Sequence, residues 1–600
     1  MFNAPSQEQH CRAGVDAACA WRQRCCLSRV DIIPKVTRRL WALFAFVIPG
    51  LAIAATAILA GQLGLDPSIG WGSRRIALVI VGACTTLFGA LYWRYTDATL
   101  KSLSRVKSSI ETYAIGLHIS LPQGAADLLG SFRKYWLVFP ILILVIVIYV
   151  WLSSSGTVTT WVSPTHYYAD LARGFLRGHF YLRTHEPGTD YSYYRGRYYL
   201  YFGPVPALLL LLVHPMAPWR VGDLQLVFAF VTGTFVVQCL LALLIWDHFL
   251  GKLPKYLLWS SILLTGLASP TTFILNNHIG GRVYEAAISG GQFFLMSGML
   301  AAATTVGRPR SHWRLLLAGT LWSLAIGTRI NLALPIGFMV LVVSSRILAS
   351  THPLSRKIGE LGFLSLPVAV GLACLGWYNW ARFGSTLETG FSYQTDTALA
   401  TGRQFFDAIR PVFILQNLWS YLLTPFDIGA QFPWLFAKSA SATAIFGWYS
   451  LPELYGAQTL TGLLCTVPFV LFAMIPLARL VNRTLGRKAA RTSLHNHELH
   501  LLDWTALTLS GAWLAAFGFL LTYYWVAERF LEDVMPSWIM LSVIGFWQGY
   551  SYLSHRPPWE KWFAVLGIVL AATSIVASTL VAISVNEARF ALIQLFSFRP

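Results

Sequence analysis

The chain is 600 residues long, 56% hydrophobic and only 12% charged, with 24 tryptophans and a formal net charge of +19. That composition excludes a water-soluble enzyme and describes an all-α polytopic membrane protein. The positive excess does not mark a nucleic-acid binder, because most lysines and arginines fall in short loops on one inferred side, as positive-inside bias and anionic lipid require.

Residues 1–39 carry Arg12, Arg22, Arg24, Arg29 and Lys35 and lack an apolar core, so they read as a disordered cytoplasmic tail with no cleavable signal peptide. Cys11, Cys19, Cys25 and Cys26 lie there without a zinc-type spacing, and no disulfide scaffold or metal site is expected. Beyond the tail, apolar runs long enough to cross about 30 Å of hydrocarbon recur. They lie near 40–61, 76–93, 136–153, 225–246, 256–275, 286–306, 313–328, 331–346, 360–381, 458–480, 504–526, 535–552 and 561–584, about thirteen spans in all.

Charge orients them. Residues 40–135 form a two-span module that ends in a basic cytoplasmic loop with Arg94, Lys101, Arg105, Lys107, Arg133 and Lys134. Residues 136–585 form the transmembrane core. Its first span delivers the 154–224 loop to the extracytoplasmic side, and Pro204–Pro218, too short to cross, is expected to lie along the interface. Asn276–Glu285, the long 382–457 segment, Ala527–Asp533 and the tail 586–600 share that side. Arg308, Arg310, Arg314, Arg346, Arg356, Lys357, Arg483 and Arg487 fall on the other. The expected location is a bacterial plasma membrane.

Nine tyrosines, three histidines (His166, His179, His185), three acids (Asp170, Glu186, Asp190) and five arginines crowd between Gly156 and Gly203. A polar loop so rich in aromatic and ionisable groups reads as the roof of a site beside the membrane. Pro164–Gly178 is expected to be a helix capped by Ser163 or Thr165, with His166, Asp170, Arg173 and Arg177 on one face. Asp170 has Arg173 at i+3, so it is either a general base or an ion-pair partner. Asp190 precedes a hairpin-like run broken by Arg195-Gly196-Arg197 and is either a desolvated base or a turn cap.

The span middles are nearly free of charge, and the unusual charges gather at the outer ends: Arg282, Glu285, Arg329, Arg382, Glu388, Glu528, Arg529 and Asp533. A phosphate at a membrane surface calls for arginine, which binds it bidentately and stays charged near lipid. In NNHIGGRVYE (276–285), His278, Arg282 and Glu285 flank a glycine turn, although Glu285 suits a helix-dipole role equally. In AERFLEDVMP (527–536), Arg529 stands beside acids that would neutralise it or leave it to a phosphate. His495, His497 and His500 read as a solvated loop.

These features together resemble the GT-C class of membrane glycosyltransferases, which includes protein O-mannosyltransferases, the lipid A aminoarabinose transferase and the catalytic subunit of oligosaccharyltransferase. The resemblance covers about residues 136–585 and rests on GRYYLYFGPVPALLLLL (196–212), YNWARFGSTLETGFSYQ (378–394) and AERFLEDVMP. It implies a sugar transferred from a polyprenyl-phosphate donor to an extracytoplasmic glycan, lipid or protein acceptor by inverting displacement. Asp190 or Asp170 would act as base, with Glu285 as the second acid. Arg282, Arg529 and Arg329 would hold the departing phosphate. His166, Tyr167, Tyr194, Tyr199 and His278 would contact sugar or acceptor. No cofactor is required, and a divalent cation beside Glu285 and His278 is compatible. The family's first acid stands at the start of the loop helix, where this chain has Ser163-Pro164-Thr165, so the base stays open between the two aspartates. A flippase for lipid-linked sugars, or a non-catalytic assembly protein on the same fold, are the alternatives.

Overall fold

A computed structural model of the chain describes residues 50–51, 53–55, 79–87, 138–156, 161, 163, 165–183, 191–213, 221–250, 253–268, 270–276, 282–306, 312–395, 408–445, 447, 449–486 and 501–586. The expected tail 1–39, the basic loop 94–135, and Asp190 and His278 lie outside those residues. The chain divides into two units, Met1–Ala126 with Phe598–Pro600, and Asp127–Ser597. In the first, residues 50–51, 53–55 and 79–87 are helical, inside two of the expected spans. A Cβ on Gly50 would lie 2.5 Å from Thr86 Oγ1, and one on Gly82 2.7 Å from the Ala54 nitrogen. Small residues there let two backbones approach closely.

The described residues of the second unit are mostly helical. The unit begins with α1 (Val138–Ser153), α2 (Tyr167–Leu176), the strands β1 (Ser192–Tyr194) and β2 (Arg197–Tyr199), and α3 (Val205–Val213). Then come α4 (Asp223–Ile245), α5 (Lys255–Leu267), α6 (Thr271–Asn276), α7 (Val283–Ala303) and α8 (His312–Thr328). They are followed by α9 (Ala333–Leu348), α10 (Leu354–Phe383), α11 (Ile414–Leu423), β3 (Asp427–Ile428), β4 (Leu435–Phe436) and β5 (Gly456–Ala457). The chain continues with α12 (Leu463–Thr466), α13 (Met474–Gly486), α14 (Leu501–Thr522), β6 (Trp525–Val526), α15 (Met535–Leu553) and α16 (Trp559–Ser584). Among the described residues, six helices are long and apolar enough to cross a membrane: those spanning 223–245, 283–303, 330–348, 354–383, 501–522 and 559–584.

Two expected spans are interrupted. The run 256–275 is α5 and α6, broken before Pro270, which cannot donate to a continuing ladder. The run 458–480 is α12, a 3-10 stretch Pro468–Ala473 and α13, with Pro468 at the break. α3 has nine residues, about 13 Å of rise, too short to cross. Asn276 stands at the end of α6 and donates to Ala582 O at 2.5 Å, tying α6 to α16.

Glycines set the closest helix contacts. A Cβ on Gly319 (α8) would lie 2.2 Å from the Leu364 carbonyl oxygen (α10), and one on Gly511 (α14) 1.8 Å from the Phe338 ring (α9). The helix hand-offs bring one set of ends together: the start of α7, the ends of α8, α10, α14 and α16, and the starts of α4, α9 and α15. The described residues of the tyrosine loop and of 384–460 lie at that end.

Candidate functional site at one end of the helix bundle

The loop helix α2 is organised by an acid that sequence reasoning did not single out. Asp223, wholly buried at the first position of α4, accepts from the Thr165 hydroxyl (2.8 Å) and from the N–H groups of Tyr167 (3.0 Å) and Tyr168 (3.2 Å). These are orphan donors at a helix start, and a carboxylate there also meets the positive end of the dipole. The expected cap by Ser163 or Thr165 is therefore a correction: α2 begins at Tyr167, and its capping oxygen comes from 56 residues away. Ser163 Oγ accepts instead from Leu224 N–H (3.3 Å), so each segment caps the other.

The expected hairpin forms. β1 and β2 pair antiparallel, with Tyr194 opposite Arg197, and the turn places Arg195 at φ 49° and Gly196 at φ 77°. Two successive positive φ values are the geometry of a tight hairpin turn. The Arg382 guanidinium donates to the Leu200 carbonyl (2.5 Å) and to Asn379 Oδ1 (2.7 Å), and Ser192 Oγ donates to Gly390 O (2.7 Å). The hairpin is thus fastened to the end of α10 and the segment after it.

The polar centre lies below this roof, on the 3-10 turn Glu528–Asp533 between α14 and α15. Asp533 Oδ2 accepts from Arg329 Nε (3.0 Å) and Asn331 Nδ2 (3.0 Å), and Arg329 Nη2 lies 2.9 Å away. Gln292 Nε2 donates to the Asp533 carbonyl (3.0 Å). Asp533 is 4% exposed, and burial raises its carboxyl pKa against the opposing pull of Arg329. Its neighbour Glu532 is pushed up to about 8 by burial, opposed by the Thr271 hydroxyl at 3.0 Å.

Arg529 is placed differently. Its Nη1 donates to Gln458 Oε1 (2.6 Å), and the guanidinium sits over the rings of Tyr284 (4.5 Å) and Phe530 (5.2 Å). No carboxylate of the described residues pairs with it: of the acids beside it in sequence, Asp533 turns to Arg329, Glu528 accepts from the Thr461 N–H and Glu532 from the Thr271 hydroxyl. Arg329 lies 5.6 Å from the other guanidinium's ring partner, Phe530, so both arginines share one aromatic platform. Tyr523, 6.0 Å from Phe530, has its phenol pushed up to about 12 by burial, with Arg329 and Arg529 opposing. A cavity of about 320 Å³ opens here, lined by Arg529, Glu528, Gln458, Thr459, Ser439 and Phe273 among others. The roof reaches it through Tyr201, whose hydroxyl donates to that of Tyr284.

The residues proposed from sequence divide accordingly. Arg529 and Arg329 meet at the centre. Tyr168, wholly buried, donates its backbone N–H to Asp223, and burial raises its phenol pKa. Arg282 is 1% exposed; its backbone N–H donates to Thr165 Oγ1 (3.2 Å), and its guanidinium faces the Ile274 and Leu275 carbonyls at the end of α6 (3.4 Å). A cation there complements a helix C-terminus. Glu285 is buried in the first turn of α7. Asp170 forms an exposed pair with Arg173 at 2.6 Å. His166 is exposed at the α2 N-terminus, and Tyr167 packs edge-on to Tyr191 (5.1 Å). Tyr194 and Tyr199 stand edge-on to Phe383 at 5.7 and 5.2 Å, fastening the hairpin to α10. Among the described residues, no three His, Cys, Asp or Glu side chains converge as a metal site.

Asp223, Glu532 and Gln458 are the site residues that sequence reasoning passed over, while Asp533 was singled out without its partner Arg329. Asp223 opens an apolar run after a glycine, which is a readable helix start. Gln458 has no local signal at all.

No protein-family model matches the chain, and no curated protein does. Among solved structures, the chain is similar to the apo oligosaccharyltransferase of Archaeoglobus fulgidus, at TM-score 0.44 and 15% identity over 77% of this chain and 56% of that one. The archaeal oligosaccharyltransferase AglB of the same organism, in complex with an inhibitory peptide and a dolichol-phosphate, is similar at TM-score 0.41 and 15% identity over 76% and 56%. An Archaeoglobus fulgidus oligosaccharyltransferase complex with Zn and sulfate is similar at TM-score 0.36 and 15% identity over 74% and 53%. This chain spans little more than half the length of the archaeal chains to which it is similar.

Proposed function

We propose that the chain is a GT-C-type membrane glycosyltransferase that moves a sugar from a polyprenyl-phosphate-linked donor to an acceptor at the loop-bearing, extracytoplasmic end of the bundle. One observation carries the reading. Arg529 lines the cavity at the bundle end, and no carboxylate of the described residues neutralises it. A guanidinium unpaired among the described carboxylates, beside apolar helices, suits an anionic group that arrives with a lipid.

In this reading the acceptor oxygen bonds to the anomeric carbon while the bond from that carbon to the phosphate oxygen breaks. The phosphate leaves with the electron pair, and Arg529 receives its charge, with Arg329 and the more deeply placed Arg282 adding to the positive field. A carboxylate takes the acceptor proton. Asp190 is the preferred base, because Asp170 is held in an exposed pair by Arg173. Glu285 is the second acid, and a divalent cation beside it and His278 remains compatible. His166, Tyr167, Tyr194 and Tyr199 belong to the acceptor-facing roof, where aromatic rings stack on sugar faces.

The test is ligand stabilisation of detergent-purified protein, since a ligand at 100 times its Kd adds about 2.7 kcal/mol to a folded state that alone binds it. Polyprenyl phosphate should raise the melting temperature of wild type and of the exposed-site control Arg177→Gln, but not of Arg529→Gln. An equal response to ordinary anionic phospholipid would overturn the donor assignment. Radiolabelled polyprenyl-phosphate sugars then test turnover, which a flippase would lack.

A further inference from the structure

We propose that α11 is a membrane-surface helix, its apolar face seated among the acyl chains of the leaflet at the candidate-site end. The proposal stands apart from the glycosyltransferase reading.

The helix is inside-out by the standard of a water-soluble protein. Gln416, Asn417, Ser420 and Tyr421 are buried at 1% exposure or less, whereas Val412, Leu415, Leu418, Trp419 and Leu423 are 37–44% exposed. Leu415, Leu418, Trp419 and Leu423 follow i, i+3, i+4 and i+8 and form one stripe. A stripe of that kind turned to water would forfeit about 0.8 kcal/mol for each CH2 left unburied.

The two buried amides are fully employed. Asn417 Nδ2 donates to the carbonyls of Leu520 (3.1 Å), Leu521 (3.0 Å) and Tyr523 (2.7 Å), and its Oδ1 accepts from the Tyr455 hydroxyl (3.0 Å). Gln416 donates to Ser441 O and Thr443 O and accepts from Ile445 N–H and Tyr449. The carbonyls at Leu520 and Leu521 belong to the last turn of α14, a span. α11 therefore lies across a span's end, at the depth where hydrocarbon gives way to headgroups.

Two features identify the occupant as lipid. The helix sits on the end of α14, a span whose own outer face is apolar and exposed at Leu507 (36%) and Leu514 (54%). Exposed tryptophans also fall at helix ends: Trp377 and Trp380 in the last turns of α10 accompany Trp419 at this end, and Trp313, Trp559 and Trp562 mark the other. Such paired aromatic girdles follow the two faces of a bilayer. The consequence reaches the site, because Asn417 holds the backbone of Tyr523, whose ring abuts Phe530 on the turn that carries Arg529.

The test uses full-length protein, freed of native cysteines, in phosphatidylcholine nanodiscs with spin labels at Leu418→Cys, Trp419→Cys and, as an exposed loop control, Ser441→Cys. Leu415→Cys replaces any variant that fails to fold. Collisions with oxygen relative to a water-soluble nickel chelate should be several-fold more frequent at 418 and 419 than at 441. Equal ratios at the three positions would overturn the proposal. So would dipolar broadening between labels at 418, which would place a second copy of the chain on this face.

Discussion

At the residue scale, the choice that organises the site is that Asp533 pairs with Arg329 and not with Arg529. The pair is buried, and Asn331 shares the same carboxylate oxygen. Removing one partner strands a desolvated charge, so Asp533→Leu or Arg329→Met alone should cost about 3–5 kcal/mol. The double variant should recover much of that loss, and denaturant titration in detergent measures both. Glu532 gives a pH signature. Its carboxyl rises from the ordinary 4.5 to about 8, so the folded chain holds a proton that the unfolded chain releases. Stability from this group accordingly falls as pH rises from about 4.5 to about 8, and then levels. Glu532→Gln, neutral throughout, should flatten the melting profile across that window and gain relative stability at its upper end. Sequence reading reached the local partnership, Asp170 with Arg173 three residues on, because helical spacing fixes it. It did not reach the partners of Asp223 or Asp533, which stand 58 and 204 residues away and carry no periodic signal.

At the scale of elements, turn chemistry and the polar face of the loop helix α2 were readable, and the inward faces of the spans were not. Arg195-Gly196 between tyrosine-rich runs predicts a hairpin, and both residues adopt positive φ. Gly196→Val should cost about 1–2 kcal/mol, since a branched side chain resists that conformation. The span positions follow from apolar length, but their breaks at Pro270 and Pro468 show that a composition window registers hydrophobicity and not continuity. Which face of each span packs inward was hidden, because lipid and bundle interior are both apolar and leave no period to detect. Glycine contacts supply that information. Gly319→Ala would drive a Cβ to 2.2 Å from the Leu364 carbonyl, a backbone atom that cannot step aside. The expected loss is about 1–3 kcal/mol. Gly337→Ala, where nothing lies within 4 Å, should leave the melting temperature unchanged or raise it.

At the scale of the whole second unit, the structure gathers at one end of the bundle described basic residues that charge bias assigns to the cytoplasm. The basic residues that positive-inside bias assigns to the cytoplasm also close helix ends. Arg314 donates to Thr304 O (2.8 Å), Arg346 to Thr305 O (3.4 Å) and Lys357 to Leu348 O (2.8 Å). Each carbonyl sits at or just past a helix C-terminus, where a cation meets the negative end of the dipole. Those residues gather at the end of the bundle opposite Arg529, because α8 and α10 run from them toward the site. The cavity and tyrosine roof should therefore face away from the cytoplasm. A membrane-impermeant thiol reagent decides it on intact cells carrying a cysteine-free chain. Ser441→Cys, exposed in the segment on the site end, should label from outside. Thr351→Cys, exposed between α9 and α10, should label only after the membrane is permeabilised. The reverse pattern would turn the site toward the cytoplasm, where a polyprenyl-linked donor displayed outside could not reach Arg529. Labelling of both from one side would break the alternation of spans on which the orientation rests.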